Sequence, residues 1–205
     1  IRLVFIDSVV SEEIQDLTVA TDNVSMGEQL GEYAQQFLNE NSQIAIVAHV
    51  EGSSTATERE EGIRTGLGDY EDQIVETVFC GSEYNVAYEQ TCELLEKYPD
   101  LTMLIGTNEY AAVGAARAVR DYGLQDQITF LGVDSSLEMI QLMEEGIFQG
   151  FTFQKSFNMG YLGVEKTIEL LNGTIKEGTY LDSGSKLITR EDLYTEENQK
   201  LLFPF

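Results

Sequence analysis

Five polar residues stand just past apolar runs of this sequence. Asp7 follows Leu3 to Ile6, Arg59 lies in the helical stretch after Ile44 to Ala48, Asn108 follows Leu101 to Gly106, Asp134 follows Ile128 to Val133, and Gln154 follows Phe148 to Phe153. Where such runs are parallel strands of an open sheet, ligands bind outside their carboxyl ends. A carboxylate accepts two hydrogen bonds from hydroxyl groups, a guanidinium donates in a fixed fork, and an amide does both. The set therefore suits neighbouring hydroxyls, as on a sugar or another polyol. A hydrogen bond to a charged group contributes about 1.5 to 3 kcal/mol, so a handful reaches about −8 kcal/mol, micromolar affinity, after the costs of association. Such binding needs neither metal nor cofactor, and none is expected.

Each of these residues also has a plainer use. Asn108 and Asp134 sit where helix N-caps sit. Arg59, flanked by Glu58, Glu60 and Glu61, could form only a surface ion pair. Recurrence at successive strand ends is what favours a ligand over these separate roles.

Catalytic chemistry has little support. His49 is the single histidine, and no Gly-x-Ser-x-Gly elbow or Cys/His arrangement accompanies it, so it reads as a structural residue with satisfied hydrogen bonds. Glu58, Glu60 and Glu61 lack the Asp-x-Asp-x-Asp-Gly spacing of a calcium loop, and neither Gly-x-Gly-x-x-Gly nor Gly-Lys-Ser/Thr occurs. The chain is not expected to be an enzyme. Cys80 and Cys92 show no CxxC spacing and are expected to be buried thiols, with a single disulfide left open.

The elements that must position the five residues are legible from the apolar pattern. Strands are predicted at Leu3 to Ile6, Leu17 to Ala20, Ile44 to Ala48, Ile74 to Phe79, Leu101 to Ile105, Ile128 to Val133 and Phe148 to Phe153. Most are continuous apolar runs, as in strands buried on both faces, and they alternate with helical patterns, as in βαβ units. Leu30, Tyr33, Ala34, Phe37 and Leu38 fall at helical spacing, as do Phe157, Tyr161, Val164, Ile168 and Leu171. Both sets are predicted to be core stripes. Thr55-Ala56-Thr57-Glu58 and Ser135-Ser136-Leu137-Glu138 read as capping boxes, and Gly123 and Gly173 as helix stops. Nothing resembles a flexible linker. If two lobes exist, the chain crosses between them at Thr21-Asp22-Asn23, Gln154-Lys155 and Asp182-Ser183-Gly184.

Composition narrows the function classes. The 205 residues, 42% hydrophobic and 23% charged, match a folded globular chain of one large or two small domains. With 36 acidic against 12 basic residues, the net charge of −24 repels phosphate backbones and anionic lipid surfaces, so nucleic acid is not an expected partner. No apolar window reaches the ~18 residues of a membrane span, and direct membrane insertion of this segment is not expected. Ile1 opens the chain inside a predicted strand, so preceding residues, with a signal or lipid anchor among them, are expected.

The order and spacing of these pieces resemble the type I periplasmic sugar-binding proteins typified by ribose-binding protein, whose relatives include the lactose-repressor effector domains. The resemblance runs from Ile1 to about Arg190. It is carried by Phe5-Ile6-Asp7, Thr21-Asp22-Asn23 with Gly27, and Thr57-Glu58-Arg59-Glu60-Glu61-Gly62. It continues through Tyr98-Pro99-Asp100, Thr107-Asn108-Glu109 with Ala112 and Gly114-Ala115, Gly132-Val133-Asp134, and Gln154 ahead of Gly160 and Gly163-Val164-Glu165. It implies an α/β fold of the periplasmic-binding-protein type I, with parallel doubly wound sheets in two lobes around a cleft. One lobe would be partial (1–21 and 155–181), lacking the family's first βα units. The other would hold 22–154 and 182–205, its tail free to return to the first.

The resemblance also implies sugar contacts at Asp7, Arg59, Asn108, Asp134 and Gln154. Ser8 stands where the ribose binders have a second arginine. Tyr84 is the aromatic nearest to Gly81-Ser82-Glu83, where the family has a stacking ring. Both are counted as ligand-binding. Asp22, Asn23, Lys155 and Ser183 are the implied hinge. The implied function is an extracytoplasmic receptor that captures a sugar or polyol for an ABC transporter permease or a membrane sensor. The alternative is the effector domain of a repressor, which the strong negative charge disfavours.

Overall fold

The computed structural model describes residues 1–10, 12 and 14–203. The chain opens with two short strands, β1 (Val4–Ile6) and β2 (Leu17–Ala20), and crosses to helix α1 (Asn23–Ala34). A regular alternation follows: β3 (Ile44–Ala48), α2 (Ser54–Leu67), β4 (Ile74–Phe79), α3 (Tyr84–Lys97), β5 (Met103–Gly106), α4 (Glu109–Asp121), β6 (Thr129–Val133), α5 (Leu137–Glu144) and β7 (Phe148–Gln154). Helix α6 (Ser156–Leu171), strands β8 (Thr179–Asp182) and β9 (Ser185–Thr189), and helix α7 (Glu196–Leu202) complete the described chain.

Two sheets result. The larger has the order β4-β3-β5-β6-β7-β9, parallel except for β9, which runs antiparallel to β7 along its edge. Its central strands are buried on both faces because successive side chains alternate between them. Ala45, Val47, Leu104 and Phe130 face a core shared with α3, α4 and α5, while Ile44, Ile46, Ile105 and Leu131 face Met26 and Leu30 of α1 and Ile63 and Leu67 of α2. The smaller sheet, β1-β2-β8, is parallel and packs Leu17 and Val19 against Met159 and Leu170 of α6. The chain is thus α/β with largely parallel sheets, as the resemblance implies.

The chain passes between the sheets at three adjoining places, after β2, after β7 and between β8 and β9. These segments are stitched together: Ser183 N donates to Ala20 O at 2.8 Å, Asp22 N to Asp182 Oδ1 at 3.0 Å, and Lys155 N to Gly184 O at 3.1 Å. Pro204 and Phe205, the end of the expected larger lobe, lie outside the described residues.

Several expectations need correction. Strands β8 and β9 were not predicted, because they are short and mixed in polarity; β8 alternates half-buried and exposed residues at a sheet edge. Neither capping box starts its helix. Ser53 caps α2 by accepting from Ala56 N, and Ser136 caps α5 by accepting from Met139 N, which frees Glu138 to pair with Arg117 at 2.7 Å. Gly123 and Gly173 do follow α4 and α6 with φ of +68° and +73°. Cys80 is a buried free thiol, and Cys92, also free, is only partly buried.

The second predicted core stripe is not core. Phe157, Tyr161, Val164, Ile168 and Leu171 are 55% to 77% exposed. Helix α6 is apolar on two sides, and it is Met159, Leu162 and Leu170 that pack against the small sheet. Helical periodicity identifies a stripe but not which of two stripes meets the sheet.

Candidate ligand-binding site

Strands β4 and β5 lie on opposite sides of β3, so the carboxyl ends of β3 and β5 flank the point where the winding reverses. That is the usual place for a crevice in an open α/β sheet. His49 follows β3 and Thr107 follows β5. The His49 ring is buried between two hydroxyls, with Nδ1 2.8 Å from Thr107 Oγ1 and Nε2 2.9 Å from Thr55 Oγ1. Thr107 Oγ1 already accepts from His49 N at 3.2 Å, so its own hydrogen is best used toward Nδ1, leaving Nε2–H to donate to Thr55. Burial, then the nearby Arg59 charge, pushes the His49 pKa down to about 4. At neutral pH the ring is therefore an uncharged brace between β3, β5 and α2.

Arg59 is the charged centre. The buried face of α2 carries Ala56, Arg59, Gly62, Ile63 and Gly66, so the guanidinium is turned into the molecule and only 4% of the residue is exposed. Its depth is set by glycines. A Cβ on Gly62 would strike Val24 O of α1, and one on Gly27 would come within 2.9 Å of Ile63 N, so α1 and α2 touch backbone to backbone. That contact brings Asn23, at the start of α1, to the guanidinium. Arg59 Nε donates to Asn23 Oδ1 at 2.9 Å and Nη1 to Thr107 O at 2.8 Å, with Asp134 Oδ2 at 3.9 Å. Among the described residues Nη2 has no acceptor. Burial pulls the Arg59 pKa down, against Asp134, Asp7 and Glu58, which favour the charged form. The surface ion pair anticipated for Arg59 is made instead by Arg64, 2.8 Å from Glu60.

Asp134 and Gln154 meet at the neighbouring strand ends. Gln154 Nε2 donates to Asp134 Oδ1, and Glu109 N donates to Asp134 Oδ2 at 3.1 Å. Asp134 is not the cap of α5, a role that Ser136 fills. Asn108 is a cap and more: its Oδ1 accepts from Ala111 N at 2.9 Å while its Nδ2 donates to Ser82 Oγ at 3.2 Å. Its carbonyl is thus committed, and what it can still offer a ligand is a donor.

Asp7 and Ser8 approach from the smaller sheet. Both are exposed, and Ser8 Oγ donates to Asp7 Oδ2 at 3.1 Å. Ser8, Val9 and Val10 line a cavity of about 330 Å³ whose opposite wall is Gly52 to Thr55, at the start of α2. Tyr84 stands apart from the Arg59 group. Its hydroxyl donates to Glu109 Oε1 at 3.0 Å, its ring lies 4.6 Å from that of Tyr110, and burial followed by Glu109 pushes its pKa up to about 12. The four implied hinge residues all lie in the crossing segments: Asp22 caps α1, Asn23 holds Arg59, Ser183 Oγ is 3.3 Å from Thr21 Oγ1, and Lys155 pairs through its backbone with Gly184.

Backbone conformation marks the same strand ends. Among the described residues, the non-glycine residues with positive φ are Asp7 at +75°, Ser82 at +59° and Asp134 at +77°. Such left-handed residues are uncommon outside glycine and cluster at functional sites. They follow β1, β4 and β6. Ser82 and Thr107 were not singled out from sequence, since a lone Ser or Thr past a strand carries no distinguishing signal.

Residues 1–175 match the family described as periplasmic binding protein domain. The chain belongs to that family. Among curated members, a ribose import binding protein from Haemophilus influenzae is 23% identical over 155 residues, 76% of this chain and 52% of its own length. A D-ribose/D-allose-binding protein from Pseudomonas aeruginosa is 24% identical, covering 78% of this chain and 50% of the relative. This periplasmic binding protein chain thus spans about half the length of these relatives. Among solved structures, a sugar transporter from Clostridium phytofermentans is 43% identical with a TM-score of 0.84, covering 92% of this chain and 68% of that one. An ABC transporter solute-binding protein from Agrobacterium vitis with bound D-fucose is 26% identical with a TM-score of 0.89, covering 99% and 71%. Relatives of this periplasmic binding protein are thus binding proteins. Among the described residues no helix is long and apolar enough to cross a membrane, and no acidic, Cys or His cluster is arranged to hold a metal.

Proposed function

We propose that this chain is the greater part of an extracytoplasmic receptor that captures a sugar or related polyol and presents it to an ABC transporter permease or a membrane sensor. The observation that carries the reading is the convergence of Arg59, Asp134, Gln154 and Asn108 at adjoining strand ends, with Asp7 and Ser8 facing them from the other sheet. A guanidinium with one free NH₂ group, a carboxylate and two amides supply both donors and acceptors to vicinal hydroxyls.

The two sheets belong to two lobes, residues 1–21 with 155–181 and residues 22–154 with 182–205. The three stitched crossings at Asp22–Asn23, Lys155 and Ser183 act as the hinge on which they close. The three-stranded lobe is completed by further βα units, which cover the exposed side of α6. Tyr84 contributes through Glu109, whose backbone holds Asp134.

A thermal-shift screen of the full-length protein against monosaccharides and polyols tests this, because a bound ligand stabilises by mass action. For whichever compound shifts the transition, Arg59→Ala and Asp134→Ala are each expected to weaken binding about tenfold or more in calorimetry. Unchanged affinity in both variants removes the assigned site, and no response to any sugar or polyol removes the reading.

A further inference from the structure

The charges around Arg59 do not balance. One guanidinium is surrounded by Asp134 at 3.9 Å, by Glu58, which shares Asn23 with it through a 3.2 Å hydrogen bond from Asn23 Nδ2, and by Asp7, whose charge also reaches it. His49, the other basic group of the crevice, is buried as the neutral ring. Lys155, the nearest lysine at the crossings, lies against Gly184 on the β8–β9 side and beside Glu197. Among the described residues, this group therefore carries a net excess of two negative charges.

The three carboxylates are not equally engaged. Both oxygens of Asp134 have donors, from Gln154 and from Glu109 N. Glu58 has the Asn23 amide. Among the described residues the Asp7 carboxylate has one donor, the hydroxyl of Ser8, and it is exposed, next to the Ser8 wall of the cavity shared with Gly52 to Thr55. At the other end of the group, buried Arg59 keeps Nη2 without an acceptor among the described residues. A molecule spanning the crevice meets an open donor at Arg59 and an exposed anion at Asp7.

We propose that the ligand is a polyhydroxylated molecule carrying one positive charge, an amino sugar or amino polyol, whose hydroxyl oxygens face Arg59 and whose ammonium group is received by Asp7, with Glu58 adding to the field. This rests on the sugar-receptor reading and narrows it. A carboxylate or phosphate on the ligand would meet three anions against one cation and is rejected. The same excess attracts a cation during approach, in a protein whose net charge is already −24.

Calorimetry on the full-length protein tests it with matched probes: glucose and glucosamine, galactose and galactosamine, mannose and mannosamine, and glucuronate as the anionic control. At least one amine is expected to bind about tenfold or more tightly than its neutral twin, with the gap shrinking at high salt because the surface charge is screened. Glucuronate is expected not to bind. In Asp7→Asn and in Glu58→Gln the ratio of amine to neutral affinity falls toward unity, and either variant suffices should the other not fold. A neutral sugar that binds as well as its amine, or a ratio unmoved by both variants, overturns the inference while leaving the sugar receptor standing. Failure of all three amines overturns the inference, whereas the sugar receptor falls only if the wider thermal-shift screen of monosaccharides and polyols is also silent.

Discussion

Arg59 Nη1 lies 3.9 Å from Asp134 Oδ2, which ties helix α2 to the end of β6 across the intervening end of β5. Between them runs Thr107, whose carbonyl takes a hydrogen bond from the same Nη1. Two strand ends are thereby tied to one guanidinium, and the guanidinium is itself set in place by Asn23.

Removing that guanidinium should cost stability as well as affinity. Arg59→Ala leaves Asn23 Oδ1 and Thr107 O without their donor, and each buried acceptor left unpaired costs about 1 to 3 kcal/mol. Arg59→Lys keeps the charge but not the fork, so it is expected to recover part of the stability and little of the binding. Urea unfolding beside calorimetry separates the two; an Arg59→Lys protein that binds like the wild type would show that charge alone is recognised.

The glycine contact between α1 and α2 makes an opposite pair of predictions. Gly62→Ala must push Val24 O away and is expected to destabilise by about 1 to 3 kcal/mol, as overpacking does. Gly160→Ala, in α6 with open space around it, should be neutral or stabilise the 205-residue chain by about 0.5 to 1 kcal/mol through lost chain entropy. Thermal unfolding of the two variants reads both signs.

His49 makes stability depend on pH in a defined window. Its folded pKa of about 4 lies below the ordinary 6.5, so between those values the unfolded chain takes up a proton that the native ring refuses. Stability is full above pH 6.5 and falls as the pH drops toward 4, by up to about 3 kcal/mol from this residue alone. Acidic groups titrate nearby, so the contribution is the difference between wild type and His49→Gln across that window. Because the chain has one histidine, its ring resonance in an NMR titration reports the same value directly.

The apolar stripe on α6 can be tested by its context. Val164→Lys with Ile168→Glu should leave the melting temperature of the 205-residue chain unchanged and reduce its self-association in light scattering, since exposed apolar patches promote association. In the full-length protein the same pair is expected to destabilise if, as proposed, further βα units cover those positions. Equal behaviour in both would show that nothing packs there.

Much of this was readable before any coordinates. Continuous apolar runs such as Ile44 to Ala48 could only be strands buried on both faces, and their alternation with helices dictated a parallel sheet. Once that was granted, Asp7, Asn108, Asp134 and Gln154 were marked by their recurrence at strand ends together with the family resemblance. The edge strands Thr179–Asp182 and Ser185–Thr189 escaped because their stability comes from β2 and β7 rather than from their own residues. The caps slipped because Ser53 and Ser136 compete with equally suitable neighbours.

The sequence by itself determined the order of elements and the chemical types gathered at the strand ends, since hydrophobic period and residue identity are local properties. Only the tertiary structure decided that Arg59 is buried rather than paired with Glu60, that Asn23 holds it, and that the second stripe of α6 faces outward. Each of these depends on how closely two helices approach or on which face a sheet takes up, and such distances are set by packing between segments far apart in the chain.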